Sequence, residues 1–473
     1  MMEIPCGMQE QFLEAKELIE SSNDIKIYTH TDCDGICSGA ILSIILDRLN
    51  KDYEIEFVNL DEIENLDLDH KLTIFSDLGS GQGVDKNAKD GQKILILDHH
   101  PPLRDINYKN DKAYTYLEIN PIFYGIDGSY YVCGGGLCYF LAKTFGFKDL
   151  SWIGVLSAIG DMQNNKTGHF EGLNEIIQED AINEGLLKVT KNDLNIYGRS
   201  TRPLYVALSY FSDVKLPITN NQQEAKVVLE ELGVDEKHNR KTLSEVTEED
   251  KMEIKKFLSR MISNRVPPKY LKYVPKLIVG DAYTFLNEEE GSFLRDGSEF
   301  STAMNACGRN RKEAIGVDII KGDRLVALDA LEEVSKTHKY NLATSISKVA
   351  DNYHSEIIEL DNFQYFDCSD FDEDIASNII GTITGMVLGY CNWKKPILGF
   401  SKPKNNQIKV SLRCSKLLAY DGIHFGNMMR EIAKEVGGTG GGHAIACGAY
   451  IPNEKKSEFL DKFNRKLQGK IAN

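Results

Sequence analysis

Short apolar runs alternate with stretches of helical periodicity through the first third of the chain. Apolar residues at helical spacing predict helices over residues 9–21, 36–49 and 151–160. Strand-like runs bounded by glycine, proline and acidic residues predict five β-strands, at residues 25–29, 53–59, 72–75, 93–97 and 114–119. This alternation of strands and helices predicts an α/β fold whose N-terminal part is a doubly wound, mostly parallel sheet.

The character of the sequence changes after about residue 185. The middle region is charged and mainly helical, with an amphipathic helix over 245–263, a strand at 276–279 and a long connecting helix over 325–352. The last part has an apolar helix over 375–388, strands at 396–400 and 407–413, and a glycine run at 437–442. We therefore predict three domains: residues 1–185, an inserted middle domain and helical connector at 186–350, and a C-terminal α/β domain at 351–473.

Bulk composition narrows the function classes. With 42% hydrophobic and 27% charged residues, the 473-residue chain has an ordinary globular composition. Its net charge of −16 repels nucleic acids and anionic membranes, so a nucleic-acid enzyme would need metals or a local basic groove. No apolar stretch approaches a membrane span, and no membrane partner is expected. The ten cysteines include no Cys-x-x-Cys pair, which argues against structural zinc and favours reduced thiols in the cytoplasm.

Acids and imidazoles follow several of these elements: His30, Asp32, Asp34, Asp77, Asp98, His99, His100 and Asp161. The carboxyl ends of parallel strands share one sheet edge, so most of these side chains should meet there. Carboxylates this dense repel one another unless cations lie between them, and mixed Asp/His ligands suit Mn²⁺. Two such ions would lower the pKa of a bridging water and stabilise an in-line displacement at phosphorus. A single strand end of this kind is equally compatible with a capped turn.

The glycine run before His443 is a second candidate site. Consecutive glycines expose backbone N–H groups to an anion, and His443 and Arg413 can add positive charge. By itself the run is more simply a flexible turn before a strand. Together with a metal site elsewhere in the chain, a phosphate cradle becomes the better interpretation.

The order of these motifs resembles the DHH phosphoesterase superfamily. The motifs are His-x-Asp-x-Asp-Gly at 30–35, Asp-Leu-Gly at 77–79, Asp-His-His at 98–100 and Gly-Asp at 160–161. Ser-Leu-Arg at 411–413 with Gly-Gly-Gly-His at 440–443 resembles the companion DHHA1 domain, and residues 295–309 resemble the archaeal RecJ-like branch. The resemblance covers both ends of the chain and touches the middle.

Carried over residue by residue, the resemblance implies a site for two Mn²⁺ or Mg²⁺ ions. The ligands would be Asp32, Asp34, Asp77, His99 and Asp161, with Asp77 as the bridge. Many relatives have a histidine where this chain has Tyr28, so whether His30 binds metal or only hydrogen-bonds a ligand stays open. His100 would face the scissile phosphate and Asp98 would orient a neighbouring imidazole. Substrate phosphate would be held by Arg413, Gly440, Gly441, Gly442 and His443.

The resemblance also implies a function. It predicts a metal-dependent exonuclease on single-stranded DNA or RNA, acting in replication or repair, with a DHH catalytic domain and a DHHA1 substrate-binding domain. Archaeal relatives can associate with the GINS replication complex. Two alternatives stay open: a phosphodiesterase for short oligonucleotides or cyclic dinucleotides, and a replication-complex scaffold with weak or no nuclease activity.

Overall fold

The computed structural model describes residues 2–60, 62–108, 113–234, 241–350, 357–368 and 373–471. The elements up to residue 194 are α1 (Cys6–Glu20), β1 (Ile25–His30), α2 (Cys33–Arg48), β2 (Tyr53–Val58), β3 (Leu72–Ser76), β4 (Lys93–Leu97), β5 (Thr115–Ile119), α3 (Gly134–Thr144), α4 (Ser151–Gly160), α5 (Leu173–Asn183) and β6 (Leu187–Leu194).

The following elements are α6 (Leu204–Ser209), α7 (Gln222–Glu231), α8 (Glu248–Ser263), α9 (Val274–Ile278), β7 (Val279–Phe285), α10 (Gly297–Arg309), α11 (Glu313–Ile320) and α12 (Val326–Ala350). The chain ends with β8 (Ile358–Glu359), β9 (Gln364–Asp367), α13 (Glu373–Val387), β10 (Ile397–Phe400), β11 (Gln407–Arg413), α14 (Lys416–Tyr420), α15 (Phe425–Glu435), β12 (Thr439–Gly442), β13 (Ala446–Pro452) and α16 (Lys456–Leu467). None of the described helices is both long and apolar enough to cross a bilayer.

The chain folds as two compact units, each built from two stretches of sequence. The first unit contains residues 1–192 and 281–335, and the second contains residues 193–280 and 336–473. Residues 281–335, which the sequence pattern groups with the middle region, therefore join the N-terminal unit. The reason is α10, whose Phe300, Met304 and Cys307 recur at helical spacing and pack into the same core as α2 and α4.

The first unit is organised around a five-stranded parallel sheet in the order β2-β1-β3-β4-β5. Neighbouring residues of β3 and β4 face opposite sides, as the pleat requires. Ile74 and Leu95 belong to the core that also contains α1 to α4. Phe75 and Ile96 lie on the opposite face of the sheet, in a second apolar cluster formed with residues of the loops that precede and follow β3. The register aligns Thr29, Ser76 and Leu97, so β1, β3 and β4 end at one sheet edge.

The second unit contains a six-stranded mixed sheet in the order β12-β13-β11-β10-β9-β8. Only the β9–β10 pair is parallel among these strands. One face packs against α15 and α16 through Phe400, Phe459 and Phe463, and the other packs against α13. Residues 439–442 of the glycine run form edge strand β12 of this sheet rather than a free turn, and Gly437 and Gly438 precede the strand.

The middle region is mainly helical, as expected, and its residues between 194 and 278 form an apolar core in the second unit together with Trp393 and Leu417. Ile254, Leu258 and Ile262 form the buried stripe of α8, which confirms its predicted amphipathic character. The strand predicted at 276–279 is wrong, because residues 274–278 form α9. Pro275 lies in the first turn of α9, where its fixed φ favours a helix start, and the strand begins only at Val279.

Candidate metal centre

The first acidic motif is shaped by the tight junction between β1 and α2. Asp32 caps α2, its side chain accepting a hydrogen bond of 3.1 Å from the Gly35 N–H. A Cβ on Gly35 would lie 2.1 Å from the His30 carbonyl oxygen, so only glycine fits there. This junction brings His30 Nδ1 to 3.0 Å from Asp32 Oδ2 and 3.5 Å from Asp77 Oδ2.

Asp34 is buried against the N-terminus of α3. Its two carboxylate oxygens accept hydrogen bonds from the Gly134 N–H (2.8 Å) and the Gly135 N–H (2.7 Å), and the Ser157 hydroxyl also donates to it. A Cβ on Gly135 would lie 2.1 Å from Ser157 Oγ, and one on Gly134 would lie 2.7 Å from Asp77 Cβ. The glycines that open α3 therefore allow backbone donors to reach a buried carboxylate at the positive end of a helix.

Asp77 occupies a strained position immediately after β3. Its φ of 58° lies in the left-handed region, which costs a non-glycine residue about 1–3 kcal/mol. The Asp77 N–H donates a 2.9 Å hydrogen bond to the Leu97 carbonyl, which ties this turn to the end of β4. This turn brings the Asp77 carboxylate within reach of both histidine-containing motifs.

His99 points one ring nitrogen into the acidic cluster. Its Nδ1 donates a 2.7 Å hydrogen bond to the Gly128 carbonyl, which leaves Nε2 unprotonated in the neutral ring. Nε2 lies 3.2 Å from Asp77 Oδ1, 3.5 Å from Asp34 Oδ2 and 3.8 Å from Asp161 Oδ2. Within the described residues, neither His99 Nε2 nor Asp77 Oδ2 has a hydrogen-bond partner although both are buried. These unpartnered atoms, and the mixed N/O donors around them, fit divalent cations.

Among the described residues, three groups of side chains can each offer donor atoms lying within 4.8 Å of one another. They are Asp77 with Asp98, His99 and His100; His30 with Asp32 and Asp77; and Asp34 with His99 and Asp161. Asp77 and His99 each belong to two groups, so the groups form one connected cluster. The structure thus brings together all eight acids and imidazoles predicted from the strand and helix ends.

The electrostatics of this cluster reflect its excess of negative charge. Burial, reinforced by Asp34 and Asp32, raises the pKa of Asp77 well above its usual value. Burial opposes charge on His99, yet Asp161, Asp77 and Asp34 raise its pKa well above the usual value. A cluster that attracts protons this strongly also attracts divalent cations, which would neutralise the same carboxylates.

The hydrogen bonds of Asp98 go to His100 and to the Ser80 N–H. Its Oδ1 accepts hydrogen bonds from the His100 N–H (3.1 Å) and from His100 Nδ1 (2.8 Å), while its Oδ2 accepts one from the Ser80 N–H (2.9 Å). Burial works against ionisation of Asp98, but His100 and the Ser80 N–H lower its pKa. Asp98 is fully buried while the His100 side chain is 48% exposed, so a buried carboxylate orients an accessible imidazole.

Two buried amides that belong to none of the sequence motifs support the cluster. Gln163 Nε2 donates to the Gly128 carbonyl (2.8 Å) and to Asp161 Oδ2 (3.0 Å), and its Oε1 accepts from Asn174 Nδ2 (2.6 Å). The same Gly128 carbonyl orients His99. One side chain therefore links the supports of two candidate ligands. In the sequence, Gln163 could have been noticed only by its position two residues after the candidate ligand Asp161.

The segment that resembles the RecJ-like branch contacts the first motif from within the same unit. Asn305 Oδ1 accepts a 3.1 Å hydrogen bond from the Cys33 N–H, at the start of α2. A Cβ on Gly308 would lie 1.7 Å from the Thr31 carbonyl oxygen. The Asn-x-Cys-Gly pattern on α10 therefore supports the loop that carries Asp32.

In the second unit, Arg413 lies at the end of β11 and packs against α13. A Cβ on Gly381 would lie 2.9 Å from Arg413 Nη2, so this glycine makes room for the guanidinium. Burial lowers the pKa of Arg413, and no described carboxylate lies within 4 Å of it. Arg413 pairs with Ala446 in the sheet, and Ala446 accepts a hydrogen bond from the His443 N–H, which aligns these residues across the strands.

The glycine strand has an additional cationic neighbour. A Cβ on Gly441 would lie 3.1 Å from Arg430 Nη2, so the Arg430 guanidinium lies against this strand. Gly441 and Gly442 have φ values of 158° and 117°, the latter of which favours glycine. Arg430 lies on α15 and is exposed. No sequence motif pointed to it, because its place depends on how α15 packs on the sheet.

Family models match three successive parts of the chain. One described as the DHH family N-terminal domain matches residues 24–155, a DHH-CID domain matches 196–274, and a DHHA1 domain matches 361–469. A relative from Methanocaldococcus jannaschii, an uncharacterized protein, is 31% identical over 446 residues, covering 93% of this chain and 92% of that protein.

Solved structures share the fold. CDC45 from Entamoeba histolytica has a TM-score of 0.62 at 15% identity, covering 98% of this chain and 99% of that one. RecJ in complex with Mn²⁺ from Thermus thermophilus has a TM-score of 0.55 at 12% identity, covering 99% of this chain and 55% of that one. At these identities the likeness shows the fold alone, and it confirms the α/β architecture.

Proposed function

The chain belongs to the DHH/DHHA1 superfamily, and from that premise we propose that it is a metal-dependent phosphodiesterase that degrades single-stranded DNA or RNA as an exonuclease. The observation that carries the proposal is the pair of buried, unpartnered atoms His99 Nε2 and Asp77 Oδ2. A cluster of this kind is costly to keep without cations, because each buried unsatisfied group costs about 1–3 kcal/mol.

Two Mn²⁺ or Mg²⁺ ions would be held by Asp32, Asp34, Asp77, His99 and Asp161, with Asp77 shared and His30 as a further ligand or a hydrogen-bond partner of Asp32. When bound, such ions supply a water of lowered pKa and neutralise charge on the phosphate. RecJ from Thermus thermophilus, a solved structure with this fold, is in complex with Mn²⁺.

The protein's own groups supply orientation and proton transfer. Asp98 accepts from His100 Nδ1 and so fixes the ring with Nε2 available. We assign His100 Nε2 as the group that faces the scissile phosphate; when the ring is the imidazolium, Nε2 carries a proton that it can donate to the leaving oxygen. In the second unit, Arg413 supplies a positive charge without a described carboxylate partner, and with His443 and the glycines at 440–442 it would bind substrate phosphate.

This activity would serve DNA replication or repair, and the protein would associate with a GINS replication complex as its archaeal relatives can. A replication-complex scaffold without nuclease activity is the second candidate, because the fold likeness to CDC45 extends over 98% of the chain. A phosphodiesterase acting on short oligonucleotides or cyclic dinucleotides would use the same cluster.

The test strips metals from the protein, restores Mn²⁺, and follows products from end-labelled single strands of several lengths. Asp77→Asn should lower hydrolysis more than about 100-fold, since metal-ion catalysis contributes several kcal/mol. Asp52→Asn, the same chemical change at an exposed position of the same unit, should leave activity unchanged. Wild-type protein that binds no Mn²⁺ and hydrolyses no strand would favour the scaffold. Product formation from dinucleotides alone would favour the short-substrate enzyme.

A further inference from the structure

One segment of the middle region has a marked excess of positive charge. Residues 251–276 contain eight lysines and arginines and a single acid, Glu253, whereas the whole chain has a net charge of −16. Part of this bias complements the dipole of α8, which has three acids in its first turn and Arg260 in its last. The helix dipole accounts only for the charges in the terminal turns of α8, because four of the basic residues lie beyond the end of the helix.

Most of these basic side chains lie on the protein surface. The apolar stripe of α8 is buried, and its opposite side lines an open surface depression of about 510 Å³. The lining residues are Lys255, Lys256, Ser259, Arg260 and Ser263. Beyond the helix, Arg265, Lys272 and Lys276 are exposed. Lys251 differs, since it is buried and its ammonium lies 3.2 Å from Asp193 and 2.8 Å from Glu248, which makes it a structural residue.

Most of the exposed charges have no compensating acid nearby. Lys256 pairs with Glu253 at 2.7 Å and Lys269 with Asp421 at 2.5 Å. Among the residues that the structure describes, no carboxylate lies within 4 Å of four other basic side chains: Arg260, Arg265, Lys272 and Lys276. An acidic protein that leaves these cations unneutralised on one surface has a local site for a polyanion.

Aromatic rings accompany the cations. The Lys272 ammonium lies 4.8 Å from the ring centre of Tyr273, and the Lys276 ammonium lies 5.6 Å from that of Tyr420. The two tyrosine rings are themselves 5.4 Å apart, and both are half-buried rather than enclosed. Proteins bind single-stranded nucleic acids with this combination, because the cations contact the phosphates and the bases stack on the aromatic rings. An acidic protein segment would use the cations but has no bases to stack on the rings.

We propose that this basic surface, formed by Lys255, Lys256, Arg260, Arg265, Lys272 and Lys276 with Tyr273 and Tyr420, binds the backbone and bases of single-stranded nucleic acid. The inference rests on the proposed function and extends it, because it makes the middle region a substrate-binding element. It also supplies the local positive surface that a strongly acidic nuclease requires. Its consequence is that long strands bind more tightly than dinucleotides, which offer too few phosphates and bases to engage the several cations and rings of this surface.

The test replaces three exposed cations that lack a described carboxylate partner, in the full-length variant Arg260→Gln/Arg265→Gln/Lys272→Gln. Fluorescence anisotropy measures binding of a labelled single strand of about 20 nucleotides in EDTA, at several salt concentrations, so that hydrolysis does not interfere. Each lost phosphate contact removes about 0.7 from the slope of log K against log salt, and the slope should fall by about 2. The matched control Lys188→Gln/Lys404→Gln/Lys434→Gln removes the same charge from exposed positions elsewhere and should bind as wild type does.

The second measurement is Mn²⁺-dependent hydrolysis of a dinucleotide, which should be equal in wild type and the triple variant. Binding lost in the triple variant without any hydrolysis by wild type would support the basic surface while refuting the proposed enzyme. An unchanged salt slope in the triple variant would overturn the proposal. So would a wild-type protein that binds a polyglutamate peptide through these residues but no single strand, because the surface would then dock a protein.

Discussion

Replacement of Gln163 by leucine tests whether the buried amide network supports the metal centre. Gln163 donates to the Gly128 carbonyl, which orients His99, and to Asp161 Oδ2, and it accepts from Asn174. Leucine has a similar volume but no polar atoms, so the substitution removes the three hydrogen bonds with little change in packing. We expect Gln163→Leu to loosen two candidate ligands at once.

The expected magnitude follows from these contacts. Each hydrogen bond contributes about 1 kcal/mol net, and the buried Asn174 Nδ2 is left with only a 3.3 Å bond to the Tyr130 carbonyl. Together these losses should lower the free energy of unfolding of the metal-free protein by about 2–4 kcal/mol. Loss of a residue that orients metal ligands typically weakens metal binding about 10- to 100-fold, and Mn²⁺ affinity should fall by that factor.

Urea denaturation in EDTA measures the first quantity, and calorimetric titration with Mn²⁺ measures the second. The matched control is Gln178→Leu on α5, a buried glutamine whose Oε1 has no hydrogen-bond partner among the described residues. That control should leave Mn²⁺ affinity unchanged and stability equal or higher, because an unsatisfied polar group is removed. A folded Gln163→Leu protein with wild-type Mn²⁺ affinity would refute the role of this network.

Three further predictions concern other parts of the first unit. Gly135→Ala places a Cβ 2.1 Å from Ser157 Oγ, so it should lower the free energy of unfolding by about 1–3 kcal/mol in urea melts and weaken Mn²⁺ binding in titration. Asp85→Asn breaks the buried ion pair with Arg104 and should cost about 3–5 kcal/mol at pH 7. Burial opposes ionisation of Asp85, but hydrogen bonds such as that from Tyr114, together with Arg104, lower its pKa. Its stabilisation is therefore present above the ordinary aspartate pKa of about 4 and lost as the pH falls through the lower folded value, so stability curves of variant and wild type should converge in acid. Mn²⁺ at about 1,000 times its dissociation constant should stabilise wild type by about 4 kcal/mol, and a melting temperature that EDTA leaves unchanged would contradict a bound metal.

Local sequence patterns were enough to predict the fold class and the composition of the cluster. Apolar periodicity predicted the strands, and parallel strands place their carboxyl ends at one edge, so the meeting of Asp32, Asp77 and His99 followed from local pattern alone. Helical periodicity over residues 245–263 likewise predicted that α8 is amphipathic, and the structure buries Ile254, Leu258 and Ile262. These conclusions succeed because a repeating backbone geometry decides them, and that geometry is visible within a few neighbouring residues.

The groups that support these ligands depend on contacts between residues far apart in the chain. Asp34 meets the N–H groups of Gly134 and Gly135 about 100 positions later, and Cys33 meets Asn305 272 positions later. Such contacts depend on how helices pack across the sheet. A pattern local to either partner contains no information about that packing. The same reason explains why residues 281–335 joined the first unit and why the glycine run became an edge strand.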